Sequence, residues 1–379
     1  MLTKQEKFLL RNLTGSFNQE TIDSLDLKLF YKLINNYKLS PLLYSRLSES
    51  GFPVLPSDMR EELRKNYLLN LQIYLSQKKE TLRVIQIFNE EHIPVIVLKG
   101  PLLGEKIYQK EGVRNASSDI DLLIKYQDLP ITETLLNNIG YKVRQHYYKC
   151  LDYYDPETFC RNSSGGFGID LHWNCIQTQE IDVPVDLYWE NCVSKNIEGI
   201  TVNFFSDEIL FIYLCMVLCR EITDNISFPR RLLDFHYFLL RYKDSLDYEY
   251  LTRILSDYNT NLFISFCLSI ANEGFGKNYN IDKAFLDSLK VSNVKSKVLN
   301  WMINYDHTQE KDYFFKRKII SVYVFSKGSI LGMVRFLWRN YKYNYFNFLE
   351  RGNLRLTPNP FVRHFLQLFK KLWKRSEII

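Results

Sequence analysis

The chain has 379 residues, 46% of them hydrophobic and 15% aromatic, enough apolar surface to offset the entropy of ordering it, so extended disorder is excluded. This length exceeds the usual single-domain size, and one or two cores with flanking elements are expected. The net charge of +6 is local in origin: residues 311–379 carry fifteen Lys and Arg against three acids, and residues 1–310 sum to −6.

The opening MLTKQEKFLLRNL lacks the cationic flank, apolar centre and cleavage site of a signal peptide, so no secretion is expected. From Gln5 to about Asn89 apolar residues recur at three and four spacing, as in Ile22, Leu25, Leu29 and Leu33, which predicts amphipathic helices. Pro53 and Pro56 interrupt them in a turn over 51–56, and a long helix follows to Asn89. After His92 the short β-branched run IPVIVL stops at Lys99-Gly100-Pro101, which predicts a buried strand, a tight turn and a helix with Pro101 in its first turn.

A second strand, DIDLLI, begins at Asp119; a helix over 127–139 ends at Gly140, and 141–148 reads as extended. FGIDLHW at 167–173 has the composition of a further strand. From Ser206, a candidate N-cap, DEILFIYLCMVLCREI and then RRLLDFHYFLLRY predict helices, the second with Pro229 near its start. The apolar run Ile209 to Cys219 is far shorter than the roughly 20 residues of a membrane span and reads as buried helix.

Seven cysteines without a CxxC pair argue against a disulfide framework or zinc ribbon and fit a reducing cytoplasm; Cys215 and Cys219, at i, i+4, read as core packing. The acids point to chemistry. In a strand, residues i and i+2 face one side, so Asp119 and Asp121 present two carboxylates to one point, a repulsion that a hard divalent cation such as Mg²⁺ or Mn²⁺ relieves. A DxD pair alone is a weak signal, because most are solvated surface acids, but this one opens an otherwise apolar strand. Upstream, Lys99 and Gly100 precede a helix N-terminus, where backbone amides and the dipole favour a phosphate. Arg114 could grip phosphates with its fork of donors, and His172 shares a strand face with Asp170.

These residues resemble a known group, the nucleotidyltransferase family proteins of bacteria within the DNA polymerase beta-like superfamily, in the branch whose motif runs LKG, R, DIDLL. VLKG at 97–100, Arg114 and SDIDLLI at 118–124 carry the resemblance, and NNIGYKV at 137–143 and GIDLHW at 168–173 extend it. It implies an α+β fold, with a small mixed sheet as nucleotidyltransferase core between N- and C-terminal helical regions. The expected boundaries are 1–90, 91–204, 205–300 and 301–379. It also implies NTP as donor, two Mg²⁺ or Mn²⁺ ions on Asp119, Asp121 and Asp170, and phosphate contacts from Lys99 and Gly100, to which Arg114, Ser118 and His172 are added as candidates, His172 with packing and hydrogen bonding as the equal alternative. Two departures are Lys-Gly-Pro where the superfamily has Gly-Ser, and Cys215 and Cys219 where the branch often has histidines.

The reaction so implied moves a nucleoside monophosphate from NTP to a hydroxyl acceptor. Arg230, Arg231 and Asp234 are candidates for the wall of the base or acceptor pocket. Two other readings stand beside it. One is a non-catalytic, antitoxin-like module that binds nucleic acid or protein through the basic C-terminal region. The other is a membrane-associated transferase acting on a lipid or glycan precursor, prompted by the amphipathic, basic FVRHFLQLFKKLWKR at 361–375. The expected location is the cytoplasm, with 311–379 as a contact for an anionic surface, either nucleic acid or membrane.

Overall fold

Periodic apolar residues set the first helices, α1 (Lys4–Leu13), α2 (Gln19–Ser24), α3 (Leu27–Asn36) and α4 (Ser40–Glu49). Thr3 and Glu6 close a capping box on α1, and Asn18 and Asp26 cap α2 and α3. The long helix expected after the Pro53–Pro56 turn is α5 (Ser57–Glu90). The computed structural model describes residues 2–52, 55–146, 157–162, 166–175, 183–223, 227–258 and 260–289, and scattered residues between 295 and 338. The basic stretch 311–379 lies mostly, and the segment 361–375 wholly, outside the described residues.

Next come β1 (Val95–Val97), α6 (Pro101–Tyr108), β2 (Asp119–Ile124), α7 (Leu129–Asn138), β3 (Tyr141–His146), β4 (Glu157–Asn162) and β5 (Gly168–His172). Each element expected between Ile93 and Trp173 is present, and Gly140 takes the positive φ of a helix stop after α7. The chain continues with α8 (Val185–Glu190), β6 (Cys192–Ile197), β7 (Ile200–Phe205), α9 (Asp207–Arg220), α10 (Ser227–Tyr242), α11 (Tyr248–Asp257), α12 (Asn261–Phe275) and α13 (Lys283–Ser288). Ser206 caps α9 by accepting from the Ile209 amide. The sequence did not announce β4, α8 or the β6–β7 hairpin.

Among the described residues the strands form one seven-stranded mixed sheet in the order β3-β4-β5-β2-β1-β7-β6. The core pair is parallel, β2 with β5, while β1 runs antiparallel to β2 and parallel to β7. Side-chain alternation divides the sheet into two faces. Val95, Val97, Ile120, Leu122, Ile124, Ile169 and Leu171 pack with Leu82, Val84, Ile85 and Phe88 of α5 and with Leu129 and Leu136 of α7. Ile96, Leu123 and Phe205 face the other way, into a larger core built by α1, α3, α4, α9, α10 and α12. Residues 119, 121, 170 and 172 belong to this second, bundle-facing side by the same alternation.

Every residue from Ile209 to Cys219 is buried, as expected of a core helix, and Cys215 and Cys219 pack there with Cys267 of α12. The Cys219 and Cys267 sulfurs are 3.5 Å apart as free thiols. No helix among the described residues is long and apolar enough to cross a membrane. The architecture is the mixed α+β arrangement expected, a sheet covered by helices from both flanks of the chain.

Candidate active site

Register assembles the acids. Along the parallel β2–β5 pair Asp119 lies opposite Gly168, Asp121 opposite Asp170 and Leu123 opposite His172. Asp121 is buried, at 3% exposure, as is His172, at 6%, whereas Asp119 and Asp170 are half-buried. Donor atoms of Asp121, Asp170 and His172 all lie within 4.8 Å of one another, a group able to hold a metal ion. Two carboxylates and an imidazole make a chemically suitable donor set for a divalent ion. Asp119 stands one pleat further toward solvent and lies outside that group.

Lys99, at the end of β1, donates through Nζ to Asp121 Oδ1 at 2.7 Å, and His172 Nε2 lies 3.2 Å from the same oxygen. Burial alone would raise the Asp121 pKa, but the Lys99 ammonium and the His172 ring hold it well below the usual carboxylate range. Asp119 moves the other way: burial and the neighbouring Asp121 charge push it up, against Lys99 and a hydrogen bond from Ser117. The two acids of the DxD thus have unlike environments, Asp121 held ionised by Lys99 and His172 and Asp119 with its pKa raised by burial and by the Asp121 charge.

The acids open on a cleft of about 720 Å³ between sheet and bundle. The sheet side supplies Lys99, Ser117, Ser118, Asp119, Asp121 and Phe167; the helical side supplies Lys38, Leu39, Ile73, Arg230, Arg231 and Asp234. Gly100 forms the N-cap of α6 at φ +88, with Pro101 opening the helix. Ser118 is exposed at the rim, and its carbonyl accepts from the Gly168 amide, extending the β2–β5 ladder. Asp170 and His172 are not among the residues that line the cleft, although their donor atoms lie within 4.8 Å of that of Asp121.

Arg114 lines the cleft, but its Nε and Nη2 form a fork onto both Asp234 oxygens at 3.1–3.2 Å. Tyr108 donates to Asp234 Oδ1 at 2.9 Å and Arg231 approaches Oδ2 at 3.4 Å. The partner of Arg114 is therefore Asp234 of α10, and the wall candidates Arg230, Arg231 and Asp234 do meet the acids across one cleft.

Not singled out from the sequence are Lys38, Asn70, Tyr74 and Gln77. Asn70 donates to the Gly112 and Arg114 carbonyls and accepts from the Ala116 amide; Gln77 donates to Ser117 Oγ and the Asp119 carbonyl; Tyr74 donates to the Pro101 carbonyl. Together they fasten the loop before β2 and the start of α6 to α5. A signal was present: Leu63, Asn70, Gln77 and Val84 recur every seven residues on the buried stripe of α5, and two of the four are amides.

Comparison with known proteins adds the family. A model described as uncharacterised nucleotidyltransferase matches residues 23–276. Two solved structures resemble the chain: the antibiotic-resistance factor ANT(2'')-Ia is 15% identical, with TM-score 0.34 over 49% of this chain and 93% of its own. An antigenic nucleotidyltransferase-like protein from Paracoccidioides brasiliensis is 14% identical, with TM-score 0.33 over 55% of this chain and 96% of its own. Comparison with curated proteins gave no match. A match across two-thirds of the chain, spanning the sheet, its acids and α10, is decisive: the chain belongs to this uncharacterised nucleotidyltransferase family.

Proposed function

We propose that the protein is a Mg²⁺- or Mn²⁺-dependent enzyme that transfers a nucleoside monophosphate from NTP to a hydroxyl acceptor and releases pyrophosphate. The observation that carries this reading is the register that sets Asp121 beside Asp170, with Asp119 one pleat away, at a cleft that Lys99, Asp119 and Asp121 line together. Residues 91–204 form the nucleotidyltransferase core, covered by the helical regions 1–90 and 205–300. Six described cysteines are free thiols, in keeping with a cytoplasmic site of action.

Asp119 and Asp121 would hold both ions and Asp170 the ion on the acceptor side; bound there, divalent ions would neutralise the charge that develops in an in-line displacement. The chain's own groups position the reactants. Gly100 and the start of α6 would cradle the β- and γ-phosphates, with Lys99 as a point charge beside them. The acceptor oxygen attacks the α-phosphorus, the bond from the α-phosphorus to the bridging oxygen breaks as pyrophosphate leaves, and the half-buried Asp170, beside Asp121, would take the acceptor's proton. Arg230, Arg231 and Lys38 line the opposite wall and supply positive charge for the remaining anionic oxygens.

The test is thermal stability of the full chain with each of ATP, GTP, CTP and UTP, with and without Mg²⁺, beside an Asp119→Ala, Asp121→Ala double variant. A ligand at a hundred times its Kd stabilises by about 2.7 kcal/mol, a shift well within reach of a melting curve. A Mg²⁺-dependent shift with one nucleotide, absent in the variant, is expected. No shift with any nucleotide overturns the reading.

A further inference from the structure

We infer that His172 is itself a metal ligand, and that it makes the inner position at Asp121 and Asp170 selective for a transition ion of the Mn²⁺ class over Mg²⁺. This rests on the transferase reading only in placing a divalent ion at these acids. Two other roles for His172 compete with it: a contact to phosphate or acceptor, or a hydrogen bond that orients Asp121.

Position argues against substrate contact. His172 is buried and does not line the cleft, while Lys99, Asp119 and Asp121 do. Its ring instead points at the carboxylate, with Nε2 3.2 Å from Asp121 Oδ1 and within 4.8 Å of the Asp170 donor atom. Oxygen or nitrogen ligands held at about 2.1 Å in an octahedral shell lie about 3.0 to 4.2 Å from one another, so three donors this close need only small side-chain rotations to close on one ion. As a ligand, Nε2 presents its lone pair and the ring hydrogen sits on Nδ1.

Strand geometry makes the placement reproducible. Asp170 and His172 are i, i+2 on β5, and β2 lies parallel beside them with Asp121 opposite Asp170. Donors on paired strands in the middle of a sheet hold their spacing better than donors on loops. Asp119 sits outside this group of close donors, so the outer ion that it would share with Asp121 has only oxygen ligands.

Chemistry then sets the ion. Mg²⁺ prefers oxygen ligands and keeps several waters, which a buried pocket containing an imidazole does not favour. Imidazole suits transition ions, and Mn²⁺ also accepts carboxylates and water in the same shell. Lys99 Nζ, at 2.7 Å from Asp121 Oδ1, already places a positive charge on this carboxylate, so an arriving ion competes with it directly.

Mn²⁺ titration of the full chain, followed by electron paramagnetic resonance without nucleotide, tests the assignment. The wild type should bind Mn²⁺ in preference to Mg²⁺ and show modulation from a directly coordinated ¹⁴N nucleus. His172→Gln should lose the nitrogen signal and weaken Mn²⁺ by about tenfold or more. His172→Asp, which restores an oxygen ligand, should bind without the nitrogen signal and shift preference toward Mg²⁺; it keeps the test alive if the glutamine variant fails to fold. Bound Mn²⁺ without nitrogen modulation in the wild type, no Mn²⁺ binding, or unchanged affinity in His172→Gln overturns the inference. A wild type that shows the nitrogen signal but no nucleotide-dependent stabilisation keeps it and sinks the transferase reading instead.

Discussion

Gly100 sits at φ +88 and ψ −160, a region that residues with a Cβ do not enter without strain, and a methyl placed there would find its nearest neighbour, Gln77 Nε2, at 3.9 Å. Space is therefore not the constraint; backbone conformation is. Gly100→Ala should cost about 1–3 kcal/mol in urea unfolding. A loss near that of an ordinary surface change would mean that the turn relaxes and the proposed phosphate cradle is not rigid. At this scale the sequence was informative where chemistry follows from local spacing. The i, i+2 rule put Asp119 with Asp121 and Asp170 with His172 on shared faces, and the two strands do carry them to one place. The engagement of Lys99 with Asp121 was not legible, because it depends on a long side chain turning back onto a neighbouring strand. Nor was the true partner of Arg114. Its distance from Asp234 in the chain is 120 residues, and nothing local links them.

That pair is what joins elements. Asp234 is buried on α10, accepts from Tyr108 at the end of α6 and from Arg114 in the loop before β2, and so fixes the bundle to the strand that bears the acids. Burial would raise its pKa, but Arg114 and Arg231 hold it below the ordinary value, so it stays ionised. Removing one charge leaves the other buried and uncompensated: Asp234→Asn should destabilise by about 3–5 kcal/mol in denaturant unfolding. The double variant Arg114→Met, Asp234→Leu should lose much less, since a buried ion pair replaced by apolar groups is often neutral. Strictly additive losses would show that the two residues are not coupled. Elements themselves were readable where apolar residues recurred at helical spacing, as in α5 and α10, or formed a short continuous run, as in β2, β5 and α9. The β6–β7 hairpin escaped notice although its signals were present: Glu198 and Gly199 both have positive φ, the pattern of a tight hairpin turn, and Ile200, Val202 and Phe204 alternate along β7. A Glu-Gly turn lacks the Asn-Gly or Asp-Gly signature, and β6 is largely exposed, so it lacks the alternation of a half-buried strand.

Sheet order belongs to the whole molecule, and no local pattern gives it. β1 lies between β2 and β7, whose parallel pairing joins Ile96 to Asn203, and the bundle gathers α1 and α3 with helices more than 150 residues later. Deep in that bundle His236 of α10 is fully buried, stacked on Phe275 and hydrogen-bonded through Nδ1 to the Tyr279 hydroxyl, which ties α10 to the segment after α12. Burial first, then the charges of Lys277 and Arg46, push its pKa down to about 3 from 6.5. Below pH 6.5 the unfolded chain therefore binds a proton that the folded chain refuses, so stability falls as pH falls, and continues to fall until the folded ring titrates near 3. Between pH 7 and 5, where Asp121 and Asp234 stay ionised, the loss from this group is about 2 kcal/mol. His236→Gln keeps a polar side chain for Tyr279 but has no proton to gain, so its stability should change with pH less than the wild type's by that amount over the same interval. Urea unfolding at pH 7, 6 and 5 measures both slopes. Equal slopes would mean that His236 gains its proton in the folded bundle. In that case the α10 wall of the cleft opens to water under mild acid, rather than remaining the rigid surface on which Arg230, Arg231 and Asp234 are set.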